Sequence, residues 1–177
     1  MCAAAAAISA CADATAPTDH LEALPAVVFA NEADPTSYVH ANNVRLTTTI
    51  GEVVVVDQYE FHALRNPFGF KGHFKISEER TLNGASEAVV MVTGTIECFT
   101  IIGNRARVGG RVESTSFPAG FPVGSAITWS VTDNGQPQNA KDTASQPFGS
   151  ADARAYCAAG GPYPESLVEK GKIQVRE

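Results

Sequence analysis

The 177-residue chain reads as an all-β protein: an antiparallel sandwich or a barrel-like sheet with one short C-terminal helix. Three observations predict this. Apolar residues recur at every second position from about Val44 onward, Gly, Asn and Pro punctuate the alternating runs, and little of the chain reads as helix. Glycines inside the runs, at Gly72, Gly94, Gly109 and Gly110, imply strong coiling or bulges and tilt the choice toward barrel-like closure.

Segments Tyr38 to Thr49 and Gly51 to Asp57 supply the first strands. In the next, Tyr59, Phe61 and Ala63 face one way and Glu60, His62 and Leu64 the other. Asn66-Pro67-Phe68-Gly69 is turn chemistry, after which Phe70, Gly72, Phe74 and Ile76 alternate with Lys71, His73 and Lys75. Beyond the Asn83-Gly84 turn, Ala88, Val90, Val92, Gly94, Ile96 and Cys98 form one face. Gly103-Asn104 closes a further hairpin, whose second strand turns Ala106, Val108, Gly110 and Val112 inward and Arg105, Arg107, Gly109 and Arg111 outward.

A Pro- and Gly-rich loop, Phe117 to Gly124, leads to a strand carrying Ile127, Trp129 and Val131. From Asp133-Asn134-Gly135 to about Gly149 no period is evident. Ser150 is the expected cap of a helix from Ala151 to Ala159, with Gly160-Gly161 as its stop, and the alternation of Gly171 to Arg176 suits an edge or closing strand. Asp19 to Ala30, interrupted by Pro25, is a short helix or an extended cover.

The domain reading is a leader and tail over 1–17 followed by a single β domain over 18–177. The leader's alanine run ends in Ile8-Ser9-Ala10-Cys11, small residues before a cysteine, which resembles a bacterial lipobox with Cys11 as lipid anchor. No lysine or arginine precedes it, and the apolar stretch is far below the ~20 residues a spanning helix needs. The expected location is periplasmic or extracellular, membrane-anchored through that cysteine.

With Cys2 and Cys11 in the leader, Cys98 and Cys157 remain in the folded part. In an oxidising compartment they pair, a link worth roughly 2–5 kcal/mol; otherwise they are two buried thiols. A net charge of −6 argues against nucleic acid as a partner. No Cys-x-x-Cys, Gly-x-Ser-x-Gly or phosphate-loop pattern is present, so no catalytic residue and no cofactor are assigned.

Four candidate sites remain. Arg105, Arg107 and Arg111 make a basic strand face suited to carboxylates or phosphates of a partner. Phe117 and Phe121 sit on a loop as possible anchors. Asp133, Asn134, Asn139 and Asp142 cluster oxygen ligands in a weak calcium candidate, for which self-bonded turns are the plainer reading. His62 and His73 flank one turn and could meet across it as a metal or acid–base pair.

Several separated motifs occur in order: Thr93-Gly94-Thr95-Ile96-Glu97-Cys98, Ile102 to Gly110, Val131-Thr132-Asp133-Asn134-Gly135 and Gly171-Lys172-Ile173-Gln174-Val175. Together, over roughly Gly72 to the C-terminus, they resemble a family of secreted bacterial β-proteins with no established activity. That resemblance implies an exported β-fold with Cys98 and Cys157 paired, and no catalytic residue. The expected function is a non-enzymatic accessory module docking on an envelope protein or the outer face of a membrane-embedded complex. The alternatives are a lipocalin-like binder of a small apolar ligand and, third, a barrel cyclase or isomerase.

Overall fold

The computed structural model describes residues 37–135, 141–161 and 163–177. The leader with Cys11, the Asp19 to Ala30 segment and Asn139 lie outside the described residues. In chain order the elements are β1 (Ser37–Ile50), β2 (Val53–Asn66), β3 (Gly69–Leu82), β4 (Ala85–Ile102), β5 (Arg105–Thr115), β6 (Ala126–Thr132), β7 (Thr143–Ser145), β8 (Phe148–Ser150), α1 (Ala153–Ala159), β9 (Glu165–Leu167) and β10 (Lys170–Arg176). All strands join one antiparallel sheet in the order β10-β1-β2-β3-β4-β5-β6-β7-β9, with β8 beside β6.

Chain connectivity dictates the curvature. β9 and β10 stand at opposite ends of the strand order, yet only Val168 and Glu169 separate them. Laid flat, eight inter-strand gaps would hold these edges roughly 38 Å apart, whereas two residues bridge about 10 Å. The sheet therefore curls into a half-barrel whose edges approach: Val168 N–H donates to the Asp142 carbonyl at 2.8 Å and Glu169 N–H to that of Arg45 at 2.9 Å.

Carboxylates complete the approach. On β10, Ile173 N–H donates to Asp142 Oδ2 at 2.9 Å and Val175 N–H to Asp133 Oδ2 at 3.1 Å. The other oxygen of each acid accepts from the loop itself, Asp142 Oδ1 from Asn134 N–H at 3.0 Å and Asp133 Oδ1 from Gly135 N–H at 2.9 Å. The loop weighed as a calcium site thus directs its carboxylate oxygens at four backbone N–H groups. Asp142→Ala should orphan the Ile173 and Asn134 donors, cost about 2 kcal/mol and accelerate amide hydrogen exchange in β10. Unchanged β10 protection would refute this role.

Inside the curl, Tyr59, Phe61, Phe74, Ile76, Val92, Val108, Ile127 and Trp129 are buried together with Val39, Leu46 and Ile173. Trp129 meets Phe61 and Phe74 edge-to-face, each at 5.4 Å. Phe74 fits because two facing positions lack side chains: a Cβ on Gly94 or Gly110 would fall 2.7–2.8 Å from its ring.

Several local expectations change. Gly51 to Asp57 is no separate strand, since β2 runs unbroken from Val53 to Asn66. On β4, Ile96 pairs with Gly110 and Cys98 with Gly109, which makes Glu97 an inserted bulge residue. Phase reverses there, so Cys98 faces α1 instead of sharing the inner face of Val92 and Ile96, and Phe99 turns inward. The segment after Asp133 is not wholly irregular, for it contains β7 and β8. α1 begins two residues later than expected: extended Asp152, not Ser150, is its cap, accepting from Arg154 N–H at 2.8 Å and Ala155 N–H at 3.1 Å.

Candidate functional site

The disulfide Cys98–Cys157 joins β4 to α1, bridging a sequence separation of 59. α1 packs over the outer face of β5 and β6, where a Cβ on Gly109 would lie 2.9 Å from the Cys98 sulfur and from Ala153 Cβ. With the helix in place both faces of β6 are buried. Beside it, Tyr163 stacks on Tyr156 at 4.8 Å and shares a 2.8 Å hydrogen bond with Thr128. Burial pushes the Tyr156 phenol up to about 12.

The three arginines of β5 have partners within the chain. Arg105 Nε lies 3.2 Å from Glu165 and donates to Thr132 Oγ1 at 3.0 Å. Arg107 donates to the carbonyls of Gly160 and Ala158, finishing the C-terminus of α1. Arg111 grips Glu97 with two bonds, 2.6 and 3.2 Å, and reaches the Gly124 carbonyl at 2.7 Å. The loop phenylalanines differ from each other: Phe121 packs against the core, while the half-exposed Phe117 folds over Gly120.

At one end of the half-barrel lie the β2–β3 and β4–β5 turns. Phe68, at the tip of the first, is 87% exposed, and Ile102, at the second, is exposed too. The tip is braced. Asn66 Oδ1 accepts from Phe68 N–H at 2.9 Å, and below it the Arg65 guanidinium sits 4.7 Å from the Phe70 ring centre and 5.0 Å from that of Phe99. Arg65 also donates to the Phe99 carbonyl at 2.7 Å, and the two rings meet edge-to-face at 5.5 Å. Next to Ile102 a cleft of about 350 Å³ is lined by Asn104, Arg105, Arg107, Thr132 and Asn134. Sequence reading assigned Phe68 only to turn chemistry; a large aromatic at a two-residue hairpin tip, where no neighbour can cover it, was the available signal.

Toward the opposite end, the inner face carries charge. Asp57 is fully buried, faces Glu78 across β2 and β3, and Glu78 pairs with Arg80. Neither Asp57 oxygen has a hydrogen-bond partner of normal geometry, although the Gln146 amide stands near enough to lower the carboxyl pKa slightly. Burial first, then Glu78, pushes that carboxyl up to about 7. Neighbouring Tyr59 donates to the Ser145 carbonyl at 2.9 Å, and burial holds its hydroxyl well above the ordinary phenol range.

On the outer face, His62 and His73 do oppose each other, and His40 joins them from β1. Among the described residues no group of three or more His, Cys, Asp and Glu side chains is placed to hold a metal ion. No described helix is long and apolar enough to cross a membrane. Compared with protein-family models, with curated proteins and with solved structures, the chain matches none.

Proposed function

We propose that the protein is an exported, non-enzymatic accessory module that docks on an envelope protein or on the outer face of a membrane-embedded complex, held near that membrane through Cys11. The observation that carries this reading is Phe68, a large apolar side chain 87% exposed on a hairpin tip made rigid by the Arg65, Phe70 and Phe99 stack. A hairpin backbone fixed before contact loses little freedom on binding, and aromatics presented in this way dominate interface energetics. Ile102 extends the apolar surface and the adjacent cleft offers polar groups around it. The disulfide supports an oxidising compartment.

The packed interior supports a surface role over a lipocalin-like one: Phe61, Phe74, Val92 and Trp129 are each at most 1% exposed. One observation favours the barrel cyclase or isomerase as a second reading, the buried Asp57 beside Glu78 and Arg80, because a carboxyl still protonated near neutral pH can act as an acid.

Phe68→Ser tests the first reading. Recovery of the native partner from detergent-solubilised membranes should fall at least about tenfold while the melting temperature stays within about 2 °C, since an exposed side chain contributes little to folding. Equal recovery by the variant would refute the hairpin as the docking element.

A further inference from the structure

The cleft beside Ile102 holds more hydrogen-bond capacity than the fold consumes. Most of its polar lining is already engaged. Asn104 Nδ2 donates to the Asp133 carbonyl at 2.9 Å and to Asn134 Oδ1 at 3.2 Å, and Asn134 Nδ2 donates to the Lys141 carbonyl at 2.9 Å. Thr132 Oγ1 accepts from Arg105 Nε at 3.0 Å and donates to Glu165 Oε2 at 2.7 Å. Arg105 is the exception. Only its Nε is engaged, by Thr132 and by Glu165 at 3.2 Å, so one edge of the guanidinium is held while its two terminal nitrogens have no partner among the described residues. Arg107 shares the outer face of β5, about 6.6 Å farther along the strand. It donates to the carbonyls of Gly160 and Ala158, and no carboxylate among the described residues pairs with it.

We propose that this cleft is a receptor for a carboxylate, an acidic side chain of the partner, an assignment that rests on the docking reading and deepens it. The free end of the Arg105 guanidinium presents two N–H groups side by side, the arrangement that a carboxylate meets with both of its oxygens. Charge selects the same ligand. Two guanidiniums and no carboxylate line the cleft, and Glu165 behind Arg105, its side chain 5% exposed, offsets one of the two. The single positive charge left over is balanced by one carboxylate and overbalanced by a phosphate group carrying nearly two negative charges. Arg105 makes the contact, and Arg107 supplies the field. Exposed Ile102 at the rim suits the methylene stem of an acidic side chain and lies at the same end of the half-barrel as Phe68, so both contacts face one partner surface. A volume of about 350 Å³ admits such a side chain with its flanking backbone.

The probe is N-acetylglutamate amide, whose one charge is the side-chain carboxylate. Titrated into the full-length chain at low ionic strength, it should produce saturable NMR shifts at the backbone amides of Asn104, Arg105 and Thr132, with a dissociation constant on the order of 1–10 mM. The neutral N-acetylglutamine amide, of the same shape, should produce none, and about 0.5 M sodium chloride should erase the response to the acid. Arg105→Lys keeps the charge and loses the fork, so it should weaken probe binding about fivefold or more. Circular dichroism checks that the variant folds, and the comparison of the two probes on the wild-type chain needs no variant at all. Recovery of the native partner from detergent-solubilised membranes should fall in Arg105→Lys as probe binding falls. Equal response to the neutral probe, tighter binding of inorganic phosphate or no saturable shift would overturn the carboxylate site. Full partner recovery by a variant that has lost the probe would overturn the partner's side chain as its occupant. The titration uses no partner, so its failure is separate from that of the docking reading, which Phe68→Ser tests.

Discussion

The wild-type protein is expected to lose stability between about pH 4 and pH 7, and Asp57→Asn to remove most of that decline. Burial, and secondarily Glu78, raise the folded-state carboxyl from 3.8 to about 7. Between those two values the folded protein holds a proton that the unfolded chain has released. Stability is therefore fully present below the unfolded value and is lost as pH rises through the folded one. Roughly three pKa units correspond to a loss on the order of 4 kcal/mol by pH 8. Asparagine keeps the shape, carries no charge and offers Glu78 an N–H. Denaturant melts at pH 5 and pH 8 should show the variant nearly level and, at the higher pH, more stable than wild type. Parallel pH profiles for the two proteins would mean that Asp57 is not the titrating group.

Cys98→Ser with Cys157→Ser should cost a comparable amount. Closing a loop with sequence separation 59 removes chain entropy from the unfolded state worth about 4 kcal/mol in the simplest treatment. The structural consequence would spread beyond the two sulfurs, because α1 is the lid that buries the outer face of β6, including Thr128 and Ser130. A short helix of seven residues has little stability of its own and depends on docking. The double variant should show a lower melting temperature and early loss of protection in α1. An unchanged melting temperature under reducing conditions would sink this prediction.

Much of the architecture can be read directly from alternation. The residues read as inward on β2, β5 and β6 are all buried, because a strand with a face on a core must repeat every second position; on β6 the helix buries the other face as well. Asp57 escaped notice since Val53-Val54-Val55-Val56 offers no alternation to show which way the next residue points. Cys98 was assigned to the wrong face because the bulge at Glu97 reverses the phase, and nothing local marks it. The histidine line was half visible. From the Asn66–Gly69 turn, unbroken register sets His62 against His73. Counting back from the Ile50–Val53 turn in the same way would set His40 against Ala63; a bulge at Asn42 and Asn43, where Asn43 takes φ 50°, moves it to His62. The arginines show the converse difficulty, since outward direction is periodic but the carbonyls, Glu97 and Glu165 that meet them arrive from remote segments.

Because β1 finds its outer neighbour only in β10, the first described strand waits for the last described strand before its edge is covered. Pairing between such distant stretches makes for slow assembly, and an uncovered edge in the meantime is open to other chains. If the chain is exported as proposed, threading from the amino end leaves this seam open until β10 has crossed, so the topology would separate translocation from maturation in time.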